Sequence, residues 1–178
     1  MTDRLTKDDW IAHGLQVLAK DGANALKAGP MAETLRVSRG SFYWHFRDIG
    51  DFRAQLLRSW QERMTDQVIR RLDLEKGRPD RLKQLMKRAF AARRDLDRAI
   101  RAWAAEDRDV ARVVAAVDGR RVAYMAKMLV AAGVDGARAR HRAAFLYWAY
   151  LGQVLVMEPR HSSITAAAID DIGDLFEG

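Results

Sequence analysis

The chain reads as all-α. Three observations predict this: only three prolines occur in 178 residues, β-branched alternation is scarce, and apolar residues recur at spacings of three and four nearly throughout. No segment carries a convincing strand pattern. The length allows one large domain or two small ones and a core that needs no disulfide or metal. With 49% apolar and 31% charged residues the composition is that of a globular protein.

The elements follow in order from local signals. Thr6 to Asp9 fits the S/T-x-x-D/E start of a first helix, with Ile11, Leu15, Leu18 and Ala19 on one face and Gly22 as the stop. A short second helix has Pro30 near its first turn and carries Met31, Ala32 and Leu35 inward. Arg36 and Val37 turn the chain, Val37 as an apolar plug, into a third helix from Ser38 to about Arg47, with Ser38 as N-cap. Asp48 caps the fourth, with Asp51 as its capping-box partner, and an amphipathic run from Asp51 to about Leu72 follows. After a break at Gly77-Arg78-Pro79 come helices over 80 to 94, 96 to 105, 110 to 132 (closed by Gly133), 137 to 157 (closed by Pro159) and 163 to 176. The first domain is expected to be residues 1–50 and the second 51–178.

Formal net charge is +7, but it is unevenly placed. Residues 1 to 53 hold 8 Lys/Arg against 7 Asp/Glu, whereas residues 54 to 178 hold 23 against 17. Bulk charge therefore gives general attraction to polyanions, and specific contact rests on the cluster Arg36, Arg39, His45 and Arg47. The second basic run, Arg70, Arg71, Lys76, Arg78, Arg81, Lys83, Lys87 and Arg88, is interrupted by Asp73, Glu75 and Asp80 and reads as a solvated face.

The stretch from Leu35 to Arg47 is the most informative. Phe42 and Phe46, four apart, share the buried face of its helix, which leaves Arg39, Gly40, Ser41, Tyr43, Trp44 and His45 largely outward. No acid lies between Glu33 and Asp48. An arginine, hydroxyls, two aromatics and a histidine without a carboxylate suit a phosphate-lined groove, where cations and hydroxyls bind backbone oxygens and Arg reads guanine edges.

Gly22-Ala23-Asn24-Ala25-Leu26, then Met31-Ala32, Leu35 and Val37-Ser38-Arg39-Gly40-Ser41-Phe42-Tyr43-Trp44-His45-Phe46, resemble the DNA-binding domain of the tetracycline-repressor (TetR) family over residues 6 to 53. In the tail, Ile100-Arg101-Ala102-Trp103-Ala104, Asp118, Arg121, Tyr124 and Ala132-Gly133 are similar to a pattern in one group of these regulators. The resemblance implies a helix-turn-helix domain followed by a C-terminal helical bundle for ligand binding and dimerisation. It implies a two-fold dimer on double-stranded DNA, with repression relieved by a small molecule. By position, Arg39, Gly40, Ser41 and Trp44 match base-facing sites, and Tyr43 and His45 match phosphate contacts. A glycine at 40 also lets the helix backbone approach a groove closely. Three positions depart from the pattern: Arg36 stands at the turn glycine, Lys27 at the threonine cap of the second helix, and Ile49 at a phosphate-touching lysine. Arg36, Ser38 and Lys27 complete the expected DNA-facing set.

The tail yields two further expectations. Trp60, Met64, Met86, Phe90, Trp103, Tyr124, Met128, Phe145 and Trp148 are each ordinary core residues taken singly, but their number, in a chain with five Trp and seven Met in all, suits an adaptable apolar cavity for an effector. The helix over 137 to 157 is apolar on two faces, Ala143, Tyr147, Tyr150, Val154, Met157 and Ala144, Trp148, Leu151, Leu155. An identical subunit packed helix against helix would cover the second face. The expected dimer interface is Tyr147, Tyr150, Leu151, Val154 and Met157, with Ile169, Ile172 and Phe176 from the last helix.

Other classes find no support. Absence of cysteine removes thiol catalysis, zinc-thiolate sites and disulfides. His13, His45, His141 and His161 show no metal spacing, and no G-x-S-x-G, P-loop or G-x-G-x-x-G occurs, so neither enzyme nor cofactor is expected. Glu106 and Asp107 read as a solvated helix end. The uncharged run 143 to 157 is short of the roughly 20 residues a membrane span needs. An N-terminus without an apolar core argues against secretion and for a cytoplasmic protein. Two alternatives stay open: an effector-independent DNA-binding or architectural protein, and a helical ligand-binding protein with no DNA role.

Overall fold

Thr6 opens the first helix with a complete capping box: its hydroxyl accepts from the Asp9 amide, and the Asp9 carboxylate accepts from the Thr6 amide at 2.8 Å. In the computed structural model, which describes residues 5–77, 80–91, 95–155 and 164–177, the elements are helical and no strand occurs among the described residues. They are α1 (Lys7–Asp21), α2 (Ala28–Thr34), α3 (Arg39–His45), α4 (Ile49–Gln61), a π-helical stretch (Glu62–Asp66), α5 (Gln67–Leu74), α6 (Arg81–Ala91), α7 (Asp95–Glu106), α8 (Arg108–Ala131), α9 (Gly136–Leu155) and α10 (Ala166–Glu177). The all-α expectation is met, with ends within a few residues of the sequence reading.

The chain divides into two compact units, residues 1–66 with 95–114, and residues 67–94 with 115–178. This line differs from the expected boundary at residue 50. That boundary falls in the first turn of α4, whereas Phe52, Leu56, Leu57 and Trp60 of the same helix are all buried in the first unit. α7, distant in sequence, also joins that unit by packing along α1.

Four rings form the centre of the first unit. Phe42 meets Trp10, Phe46 and Phe52 at 5.3, 5.1 and 5.3 Å between centroids, and Phe46 meets Phe52 at 4.9 Å. Edge-to-face and tilted contacts of this kind add to simple area burial, and they join α1, α3 and α4. Gly14 of α1 makes room for them: a Cβ there would lie 2.4 Å from Phe52 Cζ. Nearby, the Trp60 indole N–H donates to the buried Asp97 carboxylate at 3.0 Å, tying α4 to α7.

Caps at the next two junctions differ from expectation. Ser38 occupies the N-cap of α3 with extended backbone, yet its side chain accepts no capping bond. Asp48 caps α4 through the Asp51 amide at 2.8 Å, but Asp51 returns its carboxylate to the Arg47 amide and to Gln55 instead of to Asp48. The Gln55 and Arg47 bonds hold the Asp51 carboxyl below its ordinary range. The long run after Asp51 is also not one α-helix, since the π-helical stretch widens it and turns Thr65 inward.

The second unit has its own core of Leu72, Leu82, Met86, Met128, Leu129, Val134, Ala139, Ala143, Leu146 and Ile169. Asp135 caps α9 through the Ala137 and Arg138 amides at 3.0 and 3.3 Å. α10 lies on α6, held by Lys83 to Asp174 at 2.5 Å and Lys87 to Asp170 at 2.6 Å. Arg142 of α9 donates to the Phe176 carbonyl at 2.7 Å.

Gly14→Ala is expected to destabilise the protein by about 1 to 3 kcal/mol, because the added methyl overpacks a closed aromatic cluster. Urea unfolding followed by circular dichroism measures it, and a variant as stable as the parent contradicts this account of the core.

Candidate nucleic-acid interface

The second and third helices meet at a corner built on an unusual residue. Leu35 ends α2, Arg36 adopts φ 56, and the Arg36 and Val37 amides donate to the Glu33 and Ala32 carbonyls at 3.0 Å each. A left-handed backbone suits glycine and costs an L-residue with a Cβ about 1 to 2 kcal/mol. The chain thus holds an exposed arginine at a strained position where a glycine would relax. Val37 is half-buried beneath the corner, as the plug reading expects.

α3 presents two faces. Phe42 is fully buried, and Phe46 just beyond it nearly so. On the other side Arg39 and Gly40 are exposed, Tyr43 is 50% exposed, Trp44 is 70% exposed and Ser41 is half-buried. Arg39 Nη2 donates to the Tyr43 hydroxyl at 3.2 Å, with the guanidinium carbon 5.7 Å from the ring centroid. Gly40 is not demanded by packing, because a Cβ there would meet only Ser38 Oγ at an ordinary 3.6 Å.

His45 is placed differently from the outward reading. Its Nε2 lies 2.9 Å from the Leu5 carbonyl, so that nitrogen carries the proton and donates within the chain. The sequence pattern could not have shown this, because the partner is forty residues away. Lys27 is exposed at the N-cap of α2 and makes no side-chain cap there. Lys7, which sequence reasoning passed over, sits with its ammonium 5.6 Å from the Phe46 ring centroid.

The expected effector residues divide between the two units. Trp60, Trp103 and Met64 belong to the first unit. Trp60 and Trp103 are buried, with the Trp103 ring 5.9 Å from the Arg53 guanidinium carbon, while Met64 is largely exposed. In the second unit Met86 and Met128 are core, and Phe90 packs against them. The Tyr124 hydroxyl donates to Asp73 at 2.9 Å and accepts from Arg81 at 3.1 Å. Phe145 and Trp148 are 59% and 67% exposed.

The residues expected at a dimer interface differ in how far each is buried within its own unit. Ile169 is core, and Ile172 and Phe176 pack onto that core, so α10 covers its own unit. Tyr147 and Val154 are buried, and Tyr150 is half-buried against Phe90 and Tyr147. The Tyr147 hydroxyl donates to Asp118 at 2.6 Å, with Arg121 at 3.4 Å, and burial pushes its pKa up to about 12. Leu151 lines an open groove of about 1080 Å³ between α8 and α9, together with Gly119, Ala123, Ala126, Val130, Tyr147 and Trp148. Met157 lies outside the described residues. The reason is rotational phase: α9 turns Ala139, Ala143, Leu146, Tyr147 and Val154 to its own core, leaving Phe145, Trp148 and Leu155 outside.

No group of three His, Asp or Glu among the described residues could hold a metal, and no described helix is long and apolar enough to cross a membrane. No family model matches the chain, and no curated protein matches it. A solved structure from Rhodococcus sp., assigned to the TetR family of transcriptional regulators, superposes with a TM-score of 0.65 at 18% identity, over 96% of this chain and 98% of the other. The chain has the TetR-family fold. Within that fold α2 and α3 form the helix-turn-helix, and the exposed row on α3 stands on its outer side.

His45→Phe is expected to release the segment before α1 while leaving the four-ring cluster intact, at a cost of about 1 kcal/mol. Hydrogen exchange should quicken at the first amides of α1, and unchanged protection there refutes the assigned role.

Proposed function

We propose that the chain is a dimeric, cytoplasmic TetR-family transcriptional repressor that binds a palindromic operator and is released by a small, mostly apolar effector. The observation that carries this reading is the outer face of α3. It sets Arg39, Gly40, Ser41, Tyr43 and Trp44 together without a carboxylate, on a helix anchored from behind by Phe42. Cations and hydroxyls on such a face bind phosphates, and arginine reads guanine in the major groove. Arg36 and Lys27 flank the row as phosphate-contacting cations, and Gly40 lets the backbone come close to base edges. His45 serves by holding the Leu5 carbonyl just ahead of α1.

A second copy would cover the exposed strip of α9 with Trp148 and Leu151 at its centre. Two recognition helices related by a two-fold axis then fit half-sites about 34 to 36 Å apart, or a multiple. Release follows from linkage: an effector preferring a dimer whose recognition helices are wrongly spaced lowers DNA affinity by its differential affinity. Met86, Phe90 and Met128, packed in or against the core of the second unit, would have to move apart to give it an adaptable apolar lining.

One observation favours a second reading, an effector-independent DNA-binding protein. Most residues that would line an effector cavity are already packed as core. A thermal-shift screen separates the two. Compounds that raise the melting temperature and lower operator affinity support the effector-released repressor, and their absence supports the second reading.

Arg39→Ala is expected to cost about 1 to 3 kcal/mol on the operator and to relax sequence choice. Binding to genomic fragments selected by the purified protein, compared with scrambled DNA, reads this out, and unchanged discrimination sinks the assignment. Arg36→Gly should do two things at once. Stability should rise by about 1 kcal/mol as the left-handed strain is relieved, and the salt dependence of DNA binding should fall by about one phosphate contact. A glycine variant with the parent's salt slope removes Arg36 from the interface.

A further inference from the structure

Arg39 and Tyr43 sit one turn apart on the outer face of α3 and touch in two ways, through the 3.2 Å bond from Nη2 to the hydroxyl and through the guanidinium against the ring. Tyr43 is itself braced. Its ring stands edge-on to the fully buried Phe42 at 5.3 Å, and Phe42 is packed among Trp10, Phe46 and Phe52. An unbroken line of contact therefore runs from the rigid centre of the first unit to the end of an otherwise flexible side chain.

We infer that Tyr43 is a positioning residue for Arg39, fixing where its guanidinium points and hence which base edge it selects. The inference rests on the reading of α3 as the recognition helix. A phenolic oxygen has two lone pairs and one proton. Accepting from Arg39 leaves the Tyr43 O–H able to donate, and on a DNA surface the acceptor beside it is a phosphate oxygen. One hydroxyl then links a base reader to the backbone, Arg39 N–H to Tyr43 oxygen and Tyr43 O–H to phosphate. Arginine gives strong base discrimination when both its donors meet one guanine edge, and that geometry requires an oriented guanidinium. Holding the orientation before DNA arrives spares the complex part of the ordering cost. A phosphate contact acting alone would carry no sequence information.

The test is a double-mutant cycle of wild type, Arg39→Ala, Tyr43→Phe and the double variant. Each is measured at fixed salt on a selected operator and on operators changed at single base pairs. Phenylalanine keeps the ring, so only the hydroxyl is removed, and melting curves verify that each variant is folded. With Arg39 present, Tyr43→Phe should lower discrimination between operator and changed operators by about three- to tenfold. With Arg39 replaced, the same substitution should weaken all sequences equally. Uniform weakening in both backgrounds overturns the inference and leaves Tyr43 a plain phosphate contact. A DNA-free measurement distinguishes its failure from that of the underlying reading. Nitrogen-15 relaxation of Arg39 Nε should show an ordered side chain in the wild type and a freer one in Tyr43→Phe. Equal mobility in both overturns the positioning role even if DNA binds. Ordered Arg39 with no salt-dependent DNA binding overturns the recognition-helix reading and the specificity role with it.

Discussion

The packing of Phe42 among Trp10, Phe46 and Phe52 is the constraint on which the rest of the proposed interface depends. α3 has only seven residues, too few to be stable alone, since isolated helices below about 12 to 15 residues are marginal in water. Its N-cap side chain makes no capping bond, so local capping contributes little. Ring contacts to α1 and α4 therefore do most of the holding, and they also set its rotation. With Phe42 turned inward, Arg39, Tyr43 and Trp44 have no direction left but outward. Gly14 matters to this arrangement only by being small enough to admit the Phe52 ring.

Around that centre, single polar bonds do what apolar area alone would leave loose. The Trp60 indole on Asp97 fixes α4 against α7, and His45 on Leu5 ties the residue two before α1 to the end of α3. In the second unit the Tyr147 and Tyr124 hydroxyls each join an acid and an arginine, on Asp118 with Arg121 and on Asp73 with Arg81. A hydrogen bond of this kind adds only about 1 kcal/mol net, yet each favours the alignment of its helices that lets it form. This is why the polar residues of the TetR-like tail pattern turn up as ties between helices.

The exposed strip of α9 and the groove beside it are the other departure from an inert surface. Large apolar side chains, Trp148 and Phe145, lie at the surface there. They were legible as apolar in the sequence, but not as exposed. A helix apolar on two faces can bury either one, and periodicity treats the two as equivalent. The core of Ala139, Ala143 and Leu146 against Met128 and Leu129 chose the face. That choice left Trp148 and Phe145 outside and turned Val154 in.

By itself the sequence determined the all-helical class, the order and approximate ends of the helices, and the two faces of α3. All of these follow from interactions within about one turn, namely Phe42 to Phe46, Thr6 to Asp9 and Asp48 to Asp51. Tertiary structure decided what depends on partners far along the chain. It alone showed that α7 returns to α1, that Asp97 meets Trp60, that His45 spends a nitrogen on Leu5, and that α10 closes its own unit. Helical periodicity states which residues share a face but carries no information about what that face meets, and contacts 37 or 40 residues apart leave no local mark.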